Sequence, residues 1–250
     1  MAAMTPLLAT TGLSRSYGGL KAVDHVDFEL PKGEIRAIIG PNGAGKTTFV
    51  SLVCGRVDPT SGGIVFDGED ITALPAHRRV RAGIAYTFQI TSVFANLTAW
   101  DNVALSVQRT LIDKGKGRVS AADLDQGVAE ALTKVGLQSR AKMLAGNLAY
   151  GHQRLLEVAM GLALKPRLLI LDEPTQGLSD SEIESFIALV REIAANATVL
   201  LIEHNMPVVM ALAERITVMD SGRILAEGNP EEIRASRAVQ QAYLGTQQDG

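Results

Sequence analysis

The stretch Glu34-Ile-Arg-Ala-Ile-Ile-Gly-Pro-Asn-Gly-Ala-Gly-Lys-Thr-Thr48 decides how the rest of the chain is read. Residues 34–39 (EIRAII) are an apolar run of strand length. Residues 40–48 then fit G-x-x-x-x-G-K-[ST], a glycine-rich loop that opens a helix from about Lys46. Phosphate chemistry explains the residue types. Glycines let backbone N–H groups converge on phosphate oxygens, and the helix N-terminus adds the positive end of its dipole. Lys46 supplies a point charge for β- and γ-phosphates, and the Thr47 hydroxyl can coordinate Mg²⁺. Asn42, Gly43, Ala44, Gly45 and Thr48 complete a loop expected to bind nucleotide.

Working outward, residues 167–172 (RLLILD) and 198–203 (TVLLIE) are continuously apolar runs, the pattern of strands buried on both faces of a parallel sheet. Between them Ile183, Phe186, Ile187, Val190 and Ala194 recur at three- and four-residue spacing, the buried stripe of a crossover helix. Residues 167–203 therefore read as a βαβ unit. Residues 215–219 and 223–227, joined by Asp220-Ser221-Gly222, read as a hairpin. The stretch 91–165 differs: Leu124, Val128, Leu132 and Val135 mark a helix, its flanks are also helical, and strand signals are absent. The class is α/β with a helical insertion. Residues 113–118 (DKGKGR) read as a polar, solvated loop.

Asp172-Glu173-Pro174 closes the first of the two runs. A carboxylate leaving a strand beside a phosphate loop can hold Mg²⁺, directly or through water. Glu173 can then act as the general base that polarises an attacking water. An isolated Asp-Glu pair would read as charge at a helix N-terminus; the upstream phosphate loop favours the metal-and-base reading.

Composition bounds the alternatives. A chain of 250 residues suits one large domain or two small ones. Mean hydropathy is +0.14, yet no apolar run approaches the roughly 20 residues of a membrane-spanning helix. Residues 1–17 lack the basic start and apolar core of a signal peptide, and Cys54, the one cysteine, cannot close an internal disulfide. A cytosolic location without structural zinc is expected. A net charge of −3 argues against a nucleic-acid binder, and 4% aromatic residues argue against stacking platforms for single strands. The 24 glycines exceed the average of about 7%, and several fall in the phosphate and hairpin loops.

With these motifs in this order, the chain resembles the nucleotide-binding subunits of ABC transporters over nearly its whole length. The resemblance implies one nucleotide-binding domain over residues 6–245. Its fold would be a P-loop NTPase core with a parallel sheet, an N-terminal antiparallel β subdomain and an α-helical subdomain inserted at about 91–165. It implies ATP as ligand and Mg²⁺ held by Thr47, Gln89 and Asp172. Tyr17 resembles the aromatic that stacks on adenine. Gln89, in Thr-Phe-Gln after a strand around residues 84–88, resembles the glutamine that reaches Mg²⁺ and senses the membrane partner. His204, in Ile-Glu-His, resembles the switch histidine contacting the γ-phosphate. Glu173, His204 and Gln89 form the implied catalytic set, whereas His25 and His77 are assigned no catalytic role.

The signature element departs from the family's LSGGQ: the aligned residues are Leu148-Ala149-Tyr150-Gly151-His152. Family members use the serine hydroxyl and glycine N–H groups, at a helix N-terminus, to bind the γ-phosphate across a dimer. Ala149 has no hydroxyl, which leaves backbone donors and the helix dipole. Ser179 stands where an aspartate is usual, with Asp180 next. Residues 145–151 (AGNLAYG), 228–233 (GNPEEI) and 242–245 (AYLG) are similar to subunits of the branched-chain amino-acid uptake subfamily, which also includes importers of urea, short amides and aromatic acids. The implied partners are a second ATPase subunit (homo- or heterodimer), membrane permease subunits and, indirectly, an external substrate-binding protein, with no nucleic acid. The implied place is the cytoplasmic face of the inner membrane, peripherally bound. Phe94 and Trp100 are candidate permease contacts or core residues. Exporter or lipid-handling cassettes share the hydrolytic motifs and stay open as an alternative. Non-transport relatives fit less well, because no sustained heptads separate the phosphate loop from Asp172 and only one such domain is present.

Overall fold

Short apolar runs, each closed by a glycine or polar turn, build the scaffold. The computed structural model describes residues 5–87, 92–113 and 119–245. Gln89 and most of the predicted loop at 113–118 lie outside them. The chain opens with β1 (Leu8–Tyr17) and β2 (Leu20–Leu30), then runs through β3 (Ile35–Ile39) into α1 (Lys46–Val53). A second pair, β4 (Ser61–Phe66) and β5 (Glu69–Asp70), precedes α2 (Ala76–Ala82) and β6 (Ile84–Tyr86). Helices α3 (Ala99–Asp113), α4 (Ala121–Lys134) and α5 (Tyr150–Ala163) follow. The chain ends with β7 (Leu168–Asp172), α6 (Asp180–Ala194), β8 (Thr198–Ile202), α7 (Met206–Leu212), β9 (Arg215–Asp220), β10 (Arg223–Gly228), α8 (Pro230–Ala235) and α9 (Arg237–Gly245).

Two sheets result. One is antiparallel, in the order β2-β1-β4-β5; the other has six strands in the order β10-β9-β3-β8-β7-β6. Within the second, β6, β7, β8, β3 and β9 pair in parallel, and the predicted hairpin adds β10 as an antiparallel edge. Its central strands alternate between two cores, as a period of two demands. Leu168 and Ile170 join Phe28, Phe49 and Phe66 in the layer shared with the antiparallel sheet and α1. Leu169 and Leu171 join Leu156, Val158 and Phe186 on the helical side.

The predicted βαβ unit is β7-α6-β8. Phe186 and Val190 of the expected stripe are buried, together with Leu189 and Ile193, and Ile183, Ile187 and Ala194 pack partly buried beside them. Ser179 starts α6: Glu182 Oε2 accepts from its backbone N–H at 2.8 Å and from its hydroxyl at 2.7 Å. That capping role accounts for a serine at this position. Between 92 and 165 the described residues form helices and turns, with one isolated bridge between Thr98 and Leu144. No helix among the described residues is long and apolar enough to cross a membrane.

The helix that follows the phosphate loop is anchored from behind. Arg79, only 1% exposed, donates to the carbonyls of Leu52 (2.6 Å) and Val53 (2.9 Å) at the end of α1, and to Leu74 and Thr72 at 2.8 Å each. A helix C-terminus leaves such carbonyls without partners, and a cation there also meets the negative end of the dipole. Arg79→Met should therefore lower the unfolding free energy by about 3 kcal/mol or more, because buried carbonyls lose their donors. A urea titration checks this; a loss below about 1 kcal/mol would show that α1 does not depend on the cap.

Candidate nucleotide-binding site

The site is built by strands that end at one level. Ile38 of β3 pairs with Ile202 of β8, and Ile202 pairs with Asp172 of β7. Just beyond this row the chain leaves the sheet three times: into the loop at Gly40, into Glu203-His204, and into Glu173. The carboxyl ends of parallel strands are where α/β folds bind ligands.

Gly45 sits at φ 96° as the N-cap of α1. A Cβ on Gly45 would lie 2.3 Å from the carbonyl oxygen of Ala22, so β2 presses on the loop where no side chain fits. Beside Ala22, Gly222 donates its N–H to Ala44 O at 3.0 Å and accepts from the N–H of Asp24 at 2.8 Å. The Lys46 ammonium spans the loop, donating to the carbonyls of Gly40 (2.6 Å) and Pro41 (2.9 Å). Burial pulls its pKa below the ordinary lysine value, and the charges of Glu173 and Asp172 oppose that fall. Asn42, Gly43 and Thr47 are exposed at the loop surface, and Thr48 is half-buried.

Asp172 is buried at 1% exposure. Tyr86, at the end of neighbouring β6, donates its hydroxyl to Asp172 Oδ2 at 2.8 Å. The other carboxylate oxygen, Oδ1, has no hydrogen-bond partner among the described residues. Burial pushes this carboxyl above the ordinary aspartate range, and the Tyr86 hydroxyl opposes it. An unpartnered, buried carboxylate oxygen near a threonine-bearing phosphate loop has the hard donor chemistry that suits Mg²⁺. No group of three His, Cys, Asp or Glu able to hold a metal occurs among the described residues. Mg²⁺ needs none, since one or two protein ligands commonly suffice beside waters and phosphate oxygens.

Glu173 adopts φ 47°, a left-handed conformation that costs a non-glycine residue of order 1 kcal/mol or more. Its N–H donates to Ile202 O at 2.8 Å. Its Oε1 lies 3.8 Å from Nδ1 of His204, whose side chain is 68% exposed. Two carboxylates, an exposed imidazole and a lysine-bearing loop thus share one end of the sheet, an arrangement able to bind a nucleoside triphosphate and activate water.

The remaining predicted residues are placed as follows. Tyr17 ends β1, is 46% exposed, and carries the Arg15 guanidinium 4.6 Å from its ring centroid. It pairs with Leu20, two residues before the Ala22 carbonyl that faces Gly45. Leu148 is buried, and Ala149 is the N-cap of α5 without a side-chain hydrogen bond. Tyr150 packs its ring over Gly177, where a Cβ would lie 2.6 Å away, and its hydroxyl donates to Gln176 Oε1 at 3.3 Å. His152 Nε2 lies 3.5 Å from Glu182 Oε1 of α6. Tyr150 and His152 therefore contact their own chain, and Gly151 packs so tightly that a Cβ would meet Leu178 at 2.7 Å. His25 pairs with Asp24 at 2.8 Å, and His77 is exposed on α2. Phe94 is 54% exposed, whereas Trp100 packs partly buried against the helical-side core. Sequence reasoning passed over Tyr86 and Glu203, although an acidic residue closing the apolar run TVLLIE was a signal.

A sequence profile described as "ABC transporter" matches residues 23–176, and one described as "Branched-chain amino acid ATP-binding cassette transporter" matches residues 223–249. The chain belongs to the ABC transporter family of ATP-hydrolysing cassettes. It is 40% identical to the high-affinity branched-chain amino acid transport ATP-binding protein BraF of Pseudomonas aeruginosa, across 96% of this chain and 98% of that one. It is 39% identical to the corresponding protein LivG of Escherichia coli, again across 96% and 98%. The crystal structure of a nucleotide-free ATP-binding cassette from an ABC transporter matches with a TM-score of 0.83 at 26% identity, covering 95% of this chain and 98% of that chain.

The electrostatics of Asp172 imply a conflict between stability and activity. Asp172→Asn removes a buried charge and should stabilise the nucleotide-free chain, while ATP hydrolysis collapses. Thermal unfolding without nucleotide or Mg²⁺ checks the first part; a lower midpoint for the variant would contradict it.

Proposed function

We propose that this chain is the ATP-hydrolysing subunit of an importer that moves branched-chain amino acids, or a related small polar or organic-acid substrate, through a membrane permease. The observation that carries the reading is the convergence of Lys46, Asp172, Glu173 and His204 on one end of the parallel sheet. The substrate class rests on the match of residues 223–249 and on relatives named for branched-chain amino-acid transport. Residues 6–245 act as one nucleotide-binding domain, with residues 91–165 as its helical subdomain.

ATP is held by the N–H groups of the loop from Asn42 to Thr48, by Lys46 on its β- and γ-phosphates, and by Tyr17 against adenine. Thr47, Asp172 and Gln89 would hold Mg²⁺, which would neutralise charge on the phosphates. Glu173 orients the attacking water and accepts its proton, and His204 contacts the γ-phosphate. A second cassette, identical or not, presents Leu148, Ala149, Tyr150, Gly151 and His152 across the dimer. With no hydroxyl on Ala149, the N–H groups and dipole of α5 carry that contact. ATP favours the closed dimer and hydrolysis reopens it, because the γ-phosphate contacts exist only in the closed form.

Coupling to the permease runs through the helical subdomain. Phe94, Leu97, Met143 and Leu144 are exposed there. Backbone bonds from Ala145 to Leu97 O (2.8 Å) and from Ala99 to Met143 O (2.9 Å) hold these two segments together. An apolar patch of this kind suits a partner surface, and the chain sits peripherally on the cytoplasmic face of the membrane. The external substrate-binding protein acts through the permease, and nucleic acid takes no part.

Glu173→Gln should reduce hydrolysis at least about 100-fold while ATP still binds and a dimer persists in MgATP during size-exclusion chromatography. Near-normal turnover by that variant would reject Glu173 as the base. Phe94→Asp should leave the basal ATPase rate of the isolated chain intact but abolish co-purification with a hydrophobic permease pair. Recovery of ribosomes or DNA with the wild-type chain, in place of a permease, would overturn the importer reading.

A further inference from the structure

Glu203 closes β8 and its side chain is wholly buried. A carboxylate removed from water must be matched by donors, and here four converge on it. Oε1 accepts the backbone N–H of Thr175 at 3.1 Å and also the Thr175 hydroxyl. Oε2 accepts the N–H groups of His204 at 2.8 Å and Asn205 at 3.0 Å. The two oxygens thus divide between two loops. Thr175 lies two residues beyond Glu173 in the loop after β7. His204 and Asn205 open the turn into α7, where Asn205 is the N-cap.

We infer that Glu203 is a positioning residue for ATP hydrolysis: its carboxylate ties the loop bearing Glu173 to the loop bearing His204 and sets their separation. The inference rests on the proposed roles of Glu173 and His204. A carboxylate alone suits the geometry. Whichever way a glutamine amide turned, its –NH₂ would face at least one backbone N–H, leaving that donor unpaired in a dry site, and aspartate is a methylene too short to span both loops. The Lys46 loop follows a different strand, β3, so nucleotide affinity should be insulated from this clamp.

The test is steady-state ATPase kinetics on the full chain with Mg²⁺, beside nucleotide-binding titrations. Glu203→Gln is expected to lower kcat by about 10–100-fold, the cost of a small misplacement at a reacting centre. KM and nucleotide affinity should stay within about twofold. In a His204→Ala background the same substitution should cost less than about threefold, because residues acting as a unit are non-additive. Thr175→Ala should reproduce part of the kcat loss and Thr175→Ser restore it, a route that stands even if Glu203→Gln does not fold. Wild-type kcat in Glu203→Gln or Thr175→Ala would overturn the inference, as would an equal penalty with and without His204. A wild-type chain that hydrolyses no ATP would instead overturn the functional reading beneath it.

Discussion

Ile38, Ile202 and Asp172 lie in one row across three neighbouring parallel strands, and the chemistry of the site hangs on that register. A slip of one residue in β7 would turn Asp172 from its place beside Tyr86 and send Leu169 and Leu171 to the wrong core, since side chains alternate with a period of two. The register is held because both faces of these strands are covered. Phe28, Phe49 and Phe66 stand on one side, and Leu156, Val158 and Phe186 on the other. The hydrophobic pattern that makes the strands also places the end of the sheet that carries Asp172, Glu173 and His204.

Upon that frame the molecule keeps a set of unfavourable features. Asp172 buries a carboxylate oxygen without a partner, Glu173 holds a left-handed backbone, and burial lowers the pKa of Lys46. Each would be removed by selection for stability alone. They persist together at one end of one sheet, whereas the buried Arg79, far from that set in role, donates to four carbonyls. The unmatched oxygen of Asp172 stands where a bound cation would match it.

Much of this was legible in the residues themselves. The loop at 40–48, the two apolar runs flanking a helical stripe, and the hairpin at Asp220-Ser221-Gly222 carry local signals strong enough to survive without tertiary context. The antiparallel sheet was accessible only through family resemblance. β1 breaks its alternation with irregularities between Thr10 and Leu13 and again between Leu13 and Ser16, so no clean period of two marks it. Phe94 and Trp100 could not be told apart because each is a lone large apolar residue among helical signals; only packing shows that Trp100 faces the core. Tyr86 and Glu203 gain meaning from neighbours brought close by the sheet, and the grip of Tyr150 on Gly177 joins two segments whose proximity no spacing announces.

The wall against the phosphate loop at Gly45 is built from two segments far apart in sequence, Ala22 of β2 and Gly222 of the final hairpin. β3 likewise has its two partners, β8 and β9, late in the order of elements. A ribosome that has released residues 34–53 has therefore made the motif but not the pocket, and β3 waits unpaired until residues 198–220 emerge. Long-range pairing of this kind is slow to form. A nascent chain that stops short of residues 198–222 carries the phosphate-loop sequence without the strands and hairpin that wall it.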